Sequence, residues 1–379
     1  MKYKVPFVNY PLQYHNLERE IDKTIKDVLN RGDLILRKDV EKFEKNIAKF
    51  LGVKYGVGVN SGTDALIFAL KAAGIGPGDE VITVSHTFFA TIEAIHHCGA
   101  KPILIEVGED FNMNMEKIEE VITSKTKAIL PVHLNGRVCN MEKLMKVARK
   151  YNLIVIEDAA QALGAEFKGK KAGSFGLAGC FSFYPAKILG SFGDGGAVVT
   201  NDVKIAEKIS LFRNHGQKTS APEQARYGAG RTEIFCYGWT SRLHNLQAAI
   251  LNVKFKYLPK WITRRRAIAD IYNKGLSNIS KIKLPPSLNS DKRYFDIYQN
   301  YVIKAQKRDA LFEFLEKRGV ETIIKDPVPN HWHKELGLSC FHLPFSEQLA
   351  KEIISLPMYP ELTDEQVKFV INCVRKFYT

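Results

Sequence analysis

Short apolar runs alternate with helical patterns between about residues 55 and 200, and this alternation constrains the fold more than any other feature of the sequence. The apolar runs lie at residues 55–59, 81–84, 102–107, 128–132, 153–156, 180–183 and 197–200. Amphipathic stretches such as 64–73 and 141–151 lie between some of them. Strands that alternate with helices are typical of a largely parallel sheet covered by helices on both faces. We therefore expect an α/β fold.

The pattern changes near residue 250, and this change predicts a second, smaller domain. The chain has 379 residues, whereas an ordinary domain has about 100–200. We expect one long helix over 252–276, a strand over 295–303, and helices over 307–317 and 363–377. Two helices, at 17–29 and 40–50, precede the sheet. The sequence thus predicts a large domain of residues 1–250, including the N-terminal helices, and an α+β domain of residues 251–379.

Composition and charge indicate a globular protein that binds anionic small molecules more readily than nucleic acids. Hydrophobic residues make up 45% of the chain and charged residues 25%, which are ordinary values for a globular protein. No apolar run is long enough to span a membrane, and no secretory signal or C-x-x-C pair is present, so we expect a cytoplasmic protein with reduced thiols. The net charge of +14 is scattered. It suits anionic small molecules, and no nucleic-acid motif accompanies it.

The first candidate site segment follows the run at residues 55–59. Ligands of open α/β sheets bind beyond the carboxyl ends of the strands, and here Ser61, Gly62 and Thr63 open a helix. Free N–H groups and the helix dipole would make this position a seat for phosphate. Plain capping by Ser61 or Thr63 explains the same residues equally well. The segment is neither a Walker A loop nor an intact G-x-G-x-x-G, because Ser61 stands where the third glycine belongs.

Two more strand ends carry candidate residues. Phe88 and Phe89 follow the run at 81–84 and are either core aromatics or a stacking face for a planar ring. Glu157 and Asp158 follow the run at 153–156. A carboxylate at the end of a buried strand needs a cationic partner. It would hold a metal, a ribose or a protonated ring nitrogen, or it would cap a helix.

Lys187 is the most informative residue of the sequence. It is the only cationic side chain between residues 172 and 203, a stretch of apolar, aromatic and small residues in a lysine-rich chain. Desolvation lowers the pKa of a lysine and frees its amine as a nucleophile, although such a side chain can also extend to the solvent. A phosphate seat, an aromatic face, a carboxylate and a nucleophilic lysine together meet the demands of pyridoxal phosphate (PLP).

Ordered motifs over nearly the whole chain resemble a known family. They are Asn60-Ser61-Gly62-Thr63-Asp64-Ala65-Leu66, Gly78-Asp79-Glu80-Val81-Ile82, Thr87-Phe88, Pro131-Val132-His133-Leu134, Glu157-Asp158-Ala159-Ala160-Gln161, Ser182-Phe183-Tyr184-Pro185, Lys187, Gly193-Asp194-Gly195-Gly196, Leu246-Gln247-Ala248-Ala249 and Leu356-Pro357-Met358-Tyr359-Pro360. The chain resembles the PLP-dependent sugar aminotransferases of the DegT/DnrJ/EryC1/StrS group. This resemblance implies the type I aminotransferase fold.

The resemblance also implies a role for each site residue. Lys187 would bind PLP as a Schiff base and then carry a proton between the substrate and the cofactor. Asp158 would pair with the pyridine nitrogen, and Phe88 would stack on the ring. The remaining cofactor-binding residues would hold the phosphate or contact the ring near its hydroxyl group; they are Gly62, Thr63, Ser182 and Gln161.

The resemblance implies the transfer of an amino group from an amino acid, with L-glutamate as the expected donor, to a keto-sugar nucleotide, for glycan or secondary-metabolite biosynthesis. The family resemblance implies a homodimer with shared active sites.

Three departures from the family pattern stand out. Leu36-Arg37-Lys38 replaces a common Gly-Pro and would form a solvated loop or meet a diphosphate, and we favour the loop. The other two affect contacts to the cofactor and the substrate. Thr240 replaces an asparagine that reaches the neighbouring subunit's cofactor phosphate, and Lys325-Asp326 replaces a His-Tyr pair beside the substrate. We expect the loop at 217–233 to help select the sugar.

Three alternatives compete with this interpretation. Related deoxysugar dehydratases carry histidine in place of the Schiff-base lysine, so Lys187 argues against them. A non-catalytic regulator with the same fold would be favoured by loss of Lys187 or Asp158, and both are present. The broken glycine motif disfavours a nicotinamide-dependent Rossmann enzyme. The histidines at 96–97 and 331–333 lack a cysteine or carboxylate cluster, and no metal site is expected.

Overall fold

The computed structural model describes residues 3–218 and 233–379. The helices are α1 (Tyr10–Arg31), α2 (Lys38–Leu51), α3 (Gly62–Ala72), α4 (Ala90–His97), α5 (Met141–Lys150), α6 (Val203–Phe212), α7 (Asn245–Phe255), α8 (Leu258–Leu276), α9 (Arg308–Lys317), α10 (Pro344–Glu352) and α11 (Asp364–Tyr378). The strands are β1 (Tyr55–Val59), β2 (Glu80–Val84), β3 (Lys101–Ile105), β4 (Thr126–Ile129), β5 (Ile154–Asp158), β6 (Glu166–Phe167), β7 (Lys170–Lys171), β8 (Ala178–Ser182), β9 (Gly196–Thr200), β10 (Ile282–Lys283), β11 (Tyr294–Phe295), β12 (Tyr301–Ala305) and β13 (Ile353–Leu356). Among these helices, none combines the length and apolar character needed to cross a lipid bilayer.

A seven-stranded sheet forms the centre of the larger part of the molecule. Its strand order is β1-β9-β8-β5-β4-β2-β3. The pairs that join β3, β2, β4, β5 and β8 are parallel, whereas β9 runs antiparallel to both of its neighbours. The expectation of a largely parallel sheet is therefore confirmed.

Helices cover both faces of this sheet, so its strands are buried on both sides. Successive side chains of a strand point to opposite faces. Val198 of β9 therefore packs in one layer with Leu66 of α3, whereas Val199 packs in the other layer with Phe43 of α2. Both β2 and β9 are buried along their whole length. This double burial explains why the strands appear in the sequence as continuous apolar runs.

A second, three-stranded antiparallel sheet of order β10-β12-β13 lies in the C-terminal part. Its core includes Tyr272 of α8 and Val370 of α11, and Val5 joins it from the N-terminal segment. The N-terminal half of α8 contributes Trp261 to the core of the large sheet. Helix α8 thus contributes to both cores. The domain boundary expected at residue 250 stays a prediction.

Two expectations for the C-terminal part are wrong. The single helix expected over 252–276 is two helices, because α7 ends at Phe255 and α8 begins at Leu258. Pro259 has no N–H to donate, so it fits the first turn of a new helix better than a helix interior. The strand expected over 295–303 is also interrupted between β11 and β12. Tyr298 has a φ of 50°, which turns the chain out of the extended conformation.

Candidate active site

A cavity of about 760 Å³ lies where β5, β8 and the N-terminus of α3 meet. Asp158 ends β5, Ser182 ends β8, and Gly62 begins α3, and all three line the cavity. The other residues expected at a cofactor site also line it: Thr63, Phe88, Gln161 and Lys187. The structure therefore brings together every residue singled out for the cofactor in the sequence.

The N-terminus of α3 presents backbone N–H groups to the cavity. The side chain of Ser61 caps the helix by accepting a hydrogen bond from the N–H of Asp64 at 3.0 Å. The capping expected for Ser61 is thus present, but it occupies only one of the free N–H groups. The N–H groups of Gly62 and Thr63 belong to the first turn, where no intrahelical acceptor exists. Together with the Ser182 hydroxyl they form an anion seat at the positive end of the helix dipole.

Gly62 allows α3 to approach the end of β8 closely. A β-carbon at residue 62 would lie 2.7 Å from Cβ and 3.2 Å from Oγ of Ser182. Real Cβ atoms essentially never come within 3.0 Å of another heavy atom in this way. A glycine is therefore required for the seat to keep its shape. The Ser182 hydroxyl accepts a hydrogen bond from the N–H of Tyr184 at 3.3 Å, which leaves its own proton available for a ligand.

Asp158 is a buried carboxylate at the floor of the cavity. Its side chain accepts hydrogen bonds from the Thr91 hydroxyl at 2.8 Å and from the N–H of Ala160 at 3.1 Å. Only 6% of the residue is exposed. Within residues 3–218 and 233–379, no cation forms an ion pair with it. A buried carboxylate in this state is well suited to a cationic ring nitrogen.

Thr91 is a site residue that the sequence did not reveal. Its hydroxyl donates to Asp158 and also lies 2.8 Å from the hydroxyl of Thr87. Both threonines line the cavity. They lie in the segment chosen for its phenylalanines. Thr87 precedes α4 and Thr91 lies in its first turn, so no regular sequence spacing marks the two as a pair. Phe88 itself is 65% exposed, so its ring is free to contact a ligand.

Lys187 lies in the loop that follows β8, and Gln299 fixes the backbone on both sides of it. The Gln299 side chain accepts from the N–H of Ile188 at 2.7 Å and donates to the carbonyl of Ala186 at 2.9 Å. Burial lowers the pKa of the Lys187 amine, and the negative charge of Asp158 opposes this shift. A lowered pKa increases the fraction of neutral, nucleophilic amine.

Gln161 has a defined side-chain orientation. Its Oε1 accepts hydrogen bonds from the N–H of Asn135 at 3.1 Å and from the Asn300 side chain at 3.0 Å. A backbone N–H can only donate, so the atom facing Asn135 must be the amide oxygen. The amide nitrogen of Gln161 is left to donate to a ligand in the cavity. Asn300 was missed in the sequence because it lay inside the strand expected at 295–303.

The two departures that affect cofactor and substrate contacts lie in different places. Lys325 and Asp326 line the cavity. Thr240 is exposed, is not among the cavity residues, and lies 2.7 Å from the imidazole of His215 through its hydroxyl. Most of the loop expected at 217–233 lies outside the described residues.

The comparison with protein families identifies the chain. The model of the DegT/DnrJ/EryC1/StrS aminotransferase family matches residues 15–375. The chain belongs to this family. It has the type I aminotransferase fold, and it is a PLP-dependent aminotransferase.

Individual relatives are similar over their full length. The pleiotropic regulatory protein of Geobacillus stearothermophilus is 41% identical over 99% of this chain and 98% of its own length. The dTDP-3-amino-3,4,6-trideoxy-alpha-D-glucose transaminase of Streptomyces venezuelae is 37% identical over 99% of this chain and 96% of its own. The crystal structure of S. venezuelae DesV in complex with a ketimine intermediate superposes with a TM-score of 0.90, at 37% identity, over 99% of this chain and 98% of that one.

The cavity of this aminotransferase fits PLP. The unfilled N–H groups at the start of α3 suit its phosphate, and Asp158, which is buried and has no cationic partner among the described residues, suits its ring nitrogen. The amine of Lys187 lines the same cavity, which is large enough for the cofactor and a substrate. No group of three or more potential metal ligands occurs in the described part of the chain.

Proposed function

We propose that this aminotransferase transfers an amino group from an amino acid, with L-glutamate as the expected donor, to the keto group of a nucleotide-linked sugar. The observation that carries the proposal is the meeting of the Lys187 amine, the Asp158 carboxylate and the anion seat of α3 in one cavity. This arrangement supplies a nucleophile, a counter-ion for a ring nitrogen and a phosphate site. The product would be an amino sugar for glycan or secondary-metabolite biosynthesis.

Each cavity residue has a proposed role toward the cofactor. PLP, when bound, supplies an electron-accepting ring that stabilises negative charge on the substrate carbon. Asp158 pairs with the ring nitrogen, and the Thr91 hydroxyl holds this carboxylate in place. Gln161 donates its amide N–H toward the ring hydroxyl. The remaining proposed cofactor contacts are Phe88 against the ring and the phosphate seat of Gly62, Thr63 and Ser182.

Lys187 has two proposed tasks. In the resting enzyme its neutral amine would hold the cofactor, and burial favours the neutral form. When a substrate is bound, Nζ of Lys187 would move a proton at the substrate carbon as a general acid and base. Gln299 holds the backbone on both sides of Lys187, which would keep the amine in a similar position in both halves of the reaction.

The net charge of the chain and the name of a similar transaminase support a nucleotide sugar as the acceptor. The chain has a net charge of +14, which favours the approach of a polyanionic diphosphate. The transaminase relative from Streptomyces venezuelae acts, by its name, on a dTDP-linked amino sugar. The donor and acceptor would bind in turn to one site, which predicts ping-pong kinetics.

We further propose that the enzyme works as a cytoplasmic homodimer. Three aromatic residues around the cavity, Tyr10, Phe88 and Tyr184, are 41%, 65% and 54% exposed. Large apolar side chains that cluster at the surface are typical of protein contact sites. A second subunit over this face would close the cavity. The exposed Thr240, paired with His215, is a candidate contact to the partner's cofactor phosphate.

A regulatory function is the second candidate because the relative from Geobacillus stearothermophilus is named a regulatory protein. The residues of this chain favour catalysis. Burial of a lysine, whose pKa it lowers, and of an aspartate in the same cavity reduces the stability of the fold. Such residues are typical of sites with a chemical role. Lys187 likewise disfavours the dehydratase alternative.

An absorbance titration tests the proposal. The purified, PLP-loaded protein should show the visible band of lysine-bound PLP, and L-glutamate should convert it to the shorter-wavelength amine form. Addition of a nucleotide-linked keto-sugar should restore the band. Lys187→Ala should lack the original band, whereas Lys334→Ala, an exposed lysine outside the cavity, should behave as wild type. A wild-type band that no amino acid changes would refute the transfer reaction.

A further inference from the structure

The cavity contains a second lysine, Lys325, for which the proposed reaction has no role. Lys325 is partly buried and lines the same cavity as Lys187. Its ammonium group donates a hydrogen bond to the side-chain oxygen of Asn300 at 2.6 Å. Asn300 also bonds to Gln161 at 3.0 Å. The Lys325 side chain is thus fixed in one position at the wall of the cavity.

The positive charge of Lys325 has no acidic partner in the described part of the chain. No carboxylate of residues 3–218 or 233–379 forms an ion pair with its Nζ. Asp326, the next residue, also lines the cavity but does not pair with it. Burial and the nearby Lys187 lower the pKa of Lys325 to about 8, although the negative charge of Asp326 opposes this shift. An ammonium group in this environment is unfavourable in the free protein and gains from an incoming anion.

The cavity contains two other cationic side chains among the described residues, Arg265 and Lys187. Arg265 donates through Nη1 to the backbone carbonyls of Tyr298, Gln299 and Met358 at 3.2, 3.1 and 2.9 Å. The Lys187 amine is the proposed binding group for the cofactor. The Nε of Arg265 has no hydrogen-bond partner in the part of the chain that the structure describes, but the residue is only 4% exposed. Among the described cations of the cavity, Lys325 is therefore more accessible to a bound substrate than Arg265.

We propose that Lys325 is a specificity-determining residue that binds a carboxylate of the substrate beside the reacting carbon. This inference rests on the proposed function. Lys187 and Lys325 line the same cavity, and the charge of Lys187 contributes to the lowered pKa of Lys325. A group bound by Lys325 is then near the carbon at which Lys187 acts. The diphosphate of a nucleotide sugar is attached to the anomeric carbon and not to the keto carbon that reacts, so a carboxylate fits this position better.

Two substrates can supply such a carboxylate. One is the amino-acid donor, whose α-carboxylate is attached to the reacting carbon. The other is a keto-sugar that carries a carboxylate on its ring, as in a hexuronate. Because Asn300 already holds the ammonium group in place, little side-chain freedom is lost when either one binds.

Binding of unreactive probes to the PLP-loaded enzyme tests the role of Lys325 by calorimetry. Glutarate represents the donor, UDP-glucuronate represents an acidic sugar, and UDP-glucose is its neutral counterpart. Lys325→Met removes the charge with little change in length, and Lys325→Arg retains it. Lys334→Met is the matched control, because this exposed lysine lies in the same part of the chain but outside the cavity.

We expect Lys325→Met to weaken glutarate or UDP-glucuronate binding by about 10- to 100-fold, the usual contribution of a hydrogen bond to a charged group. The affected probe identifies the source of the carboxylate. UDP-glucose binding should not change, and Lys325→Arg should lose less than Lys325→Met. The proposal is overturned if neither acidic probe depends on Lys325, if the wild type binds neither, or if UDP-glucose binding falls equally. Failure of the glutamate half-reaction would refute the proposed function and leave these binding results interpretable.

Discussion

The carboxylate of Glu157 lies 2.8 Å from Nε2 of His133, and both side chains are completely buried. Nδ1 of His133 accepts the backbone N–H of Cys139 at 3.1 Å, so the ring proton is on Nε2 and is donated to Glu157. The same carboxylate accepts three backbone N–H groups from the segment before β8: Gly173, Phe175 and Gly176. Glu157 thus ties β5 to the start of β8, directly beside Asp158.

Glu157→Gln should destabilise the protein strongly. An amide places N–H groups where four donors already point, so at least one buried donor loses its acceptor. We expect the free energy of unfolding to fall by about 3 kcal/mol, as when a buried polar pair is broken. Urea unfolding measures this change. Glu166→Gln is the control, because its partly exposed pair with Lys171 should contribute less than about 1 kcal/mol. Equal losses in the two variants would contradict the structural role of Glu157.

Gln299 is expected to act as a positioning residue for Lys187. Gln299→Leu removes both hydrogen bonds that bracket the lysine in the chain. We expect kcat to fall by about 10-fold or more, because small displacements of a reacting group reduce rates strongly. The KM for glutamate should change little. Steady-state kinetics and the rate at which the apoenzyme captures PLP report this effect.

Gln247 offers a matched control for this variant. Its side chain brackets Phe192 in the same way, accepting from the Phe192 N–H at 2.8 Å and donating to its carbonyl at 3.2 Å. Gln247 and Phe192 both lie outside the cavity lining. Gln247→Leu should therefore lose a similar amount of stability but keep a nearly normal kcat. A comparable loss of kcat in both variants would argue for a general structural effect.

Gly62→Ala should damage the phosphate seat. The new methyl group would lie 2.7 Å from Cβ of Ser182, so α3 or the end of β8 must shift. Such overpacking reduces stability by about 1–3 kcal/mol, and the displaced N–H groups should bind PLP more weakly. Thermal unfolding and PLP titration measure the two effects. Gly76→Ala, where the nearest atom to the new carbon is 3.9 Å away, should change neither. A fully normal PLP affinity in Gly62→Ala would refute the seat.

The sequence predicted the central sheet because each of its strands carries a local signal. A strand buried on both faces needs an unbroken apolar run, and β5 and β8 have such runs. Asp158 and Ser182 lie at the ends of these strands, so the cavity residues could be predicted from the ends of the apolar runs and from the family resemblance. The prediction that residues 158 and 187 come together depended on β5 and β8 being neighbours, which the structure confirms.

The missed residues have no comparable local signal. Gln299 and Asn300 contact residues more than 100 positions away, and they lie where the chain leaves the extended conformation at Tyr298. The tyrosine, valine and isoleucine residues around them favour a strand locally, and only tertiary packing overrides this preference. Their amide side chains therefore appeared as ordinary strand residues. The break between α7 and α8 did have a local signal, because Pro259 disfavours a helix interior. The prediction of a single helix followed the helical pattern of the flanking residues instead.

Lys254 should make stability depend on pH. This lysine is 1% exposed, and its Nζ donates to the carbonyl of Gly190 at 2.6 Å, in the loop that follows Lys187. Burial lowers its pKa from 10.5 to about 8, with Glu361 acting in the opposite direction. Between these two values the unfolded chain binds more protons than the folded chain, so the free energy of unfolding should rise with pH. Across this pH range the free energy of unfolding should rise by about 3 kcal/mol through Lys254 alone.

Lys254→Met isolates this contribution. Because other groups titrate in the same range, the informative quantity is the difference in unfolding free energy between wild type and variant, measured in urea between pH 8 and 10.5. The difference should shift in favour of the wild type as pH rises, since the wild type is relieved of a buried charge that the variant never carries. Lys334→Met, an exposed lysine, should give a difference that does not vary with pH. A flat difference for Lys254→Met would mean that the buried ammonium keeps an ordinary pKa through its bond to Gly190.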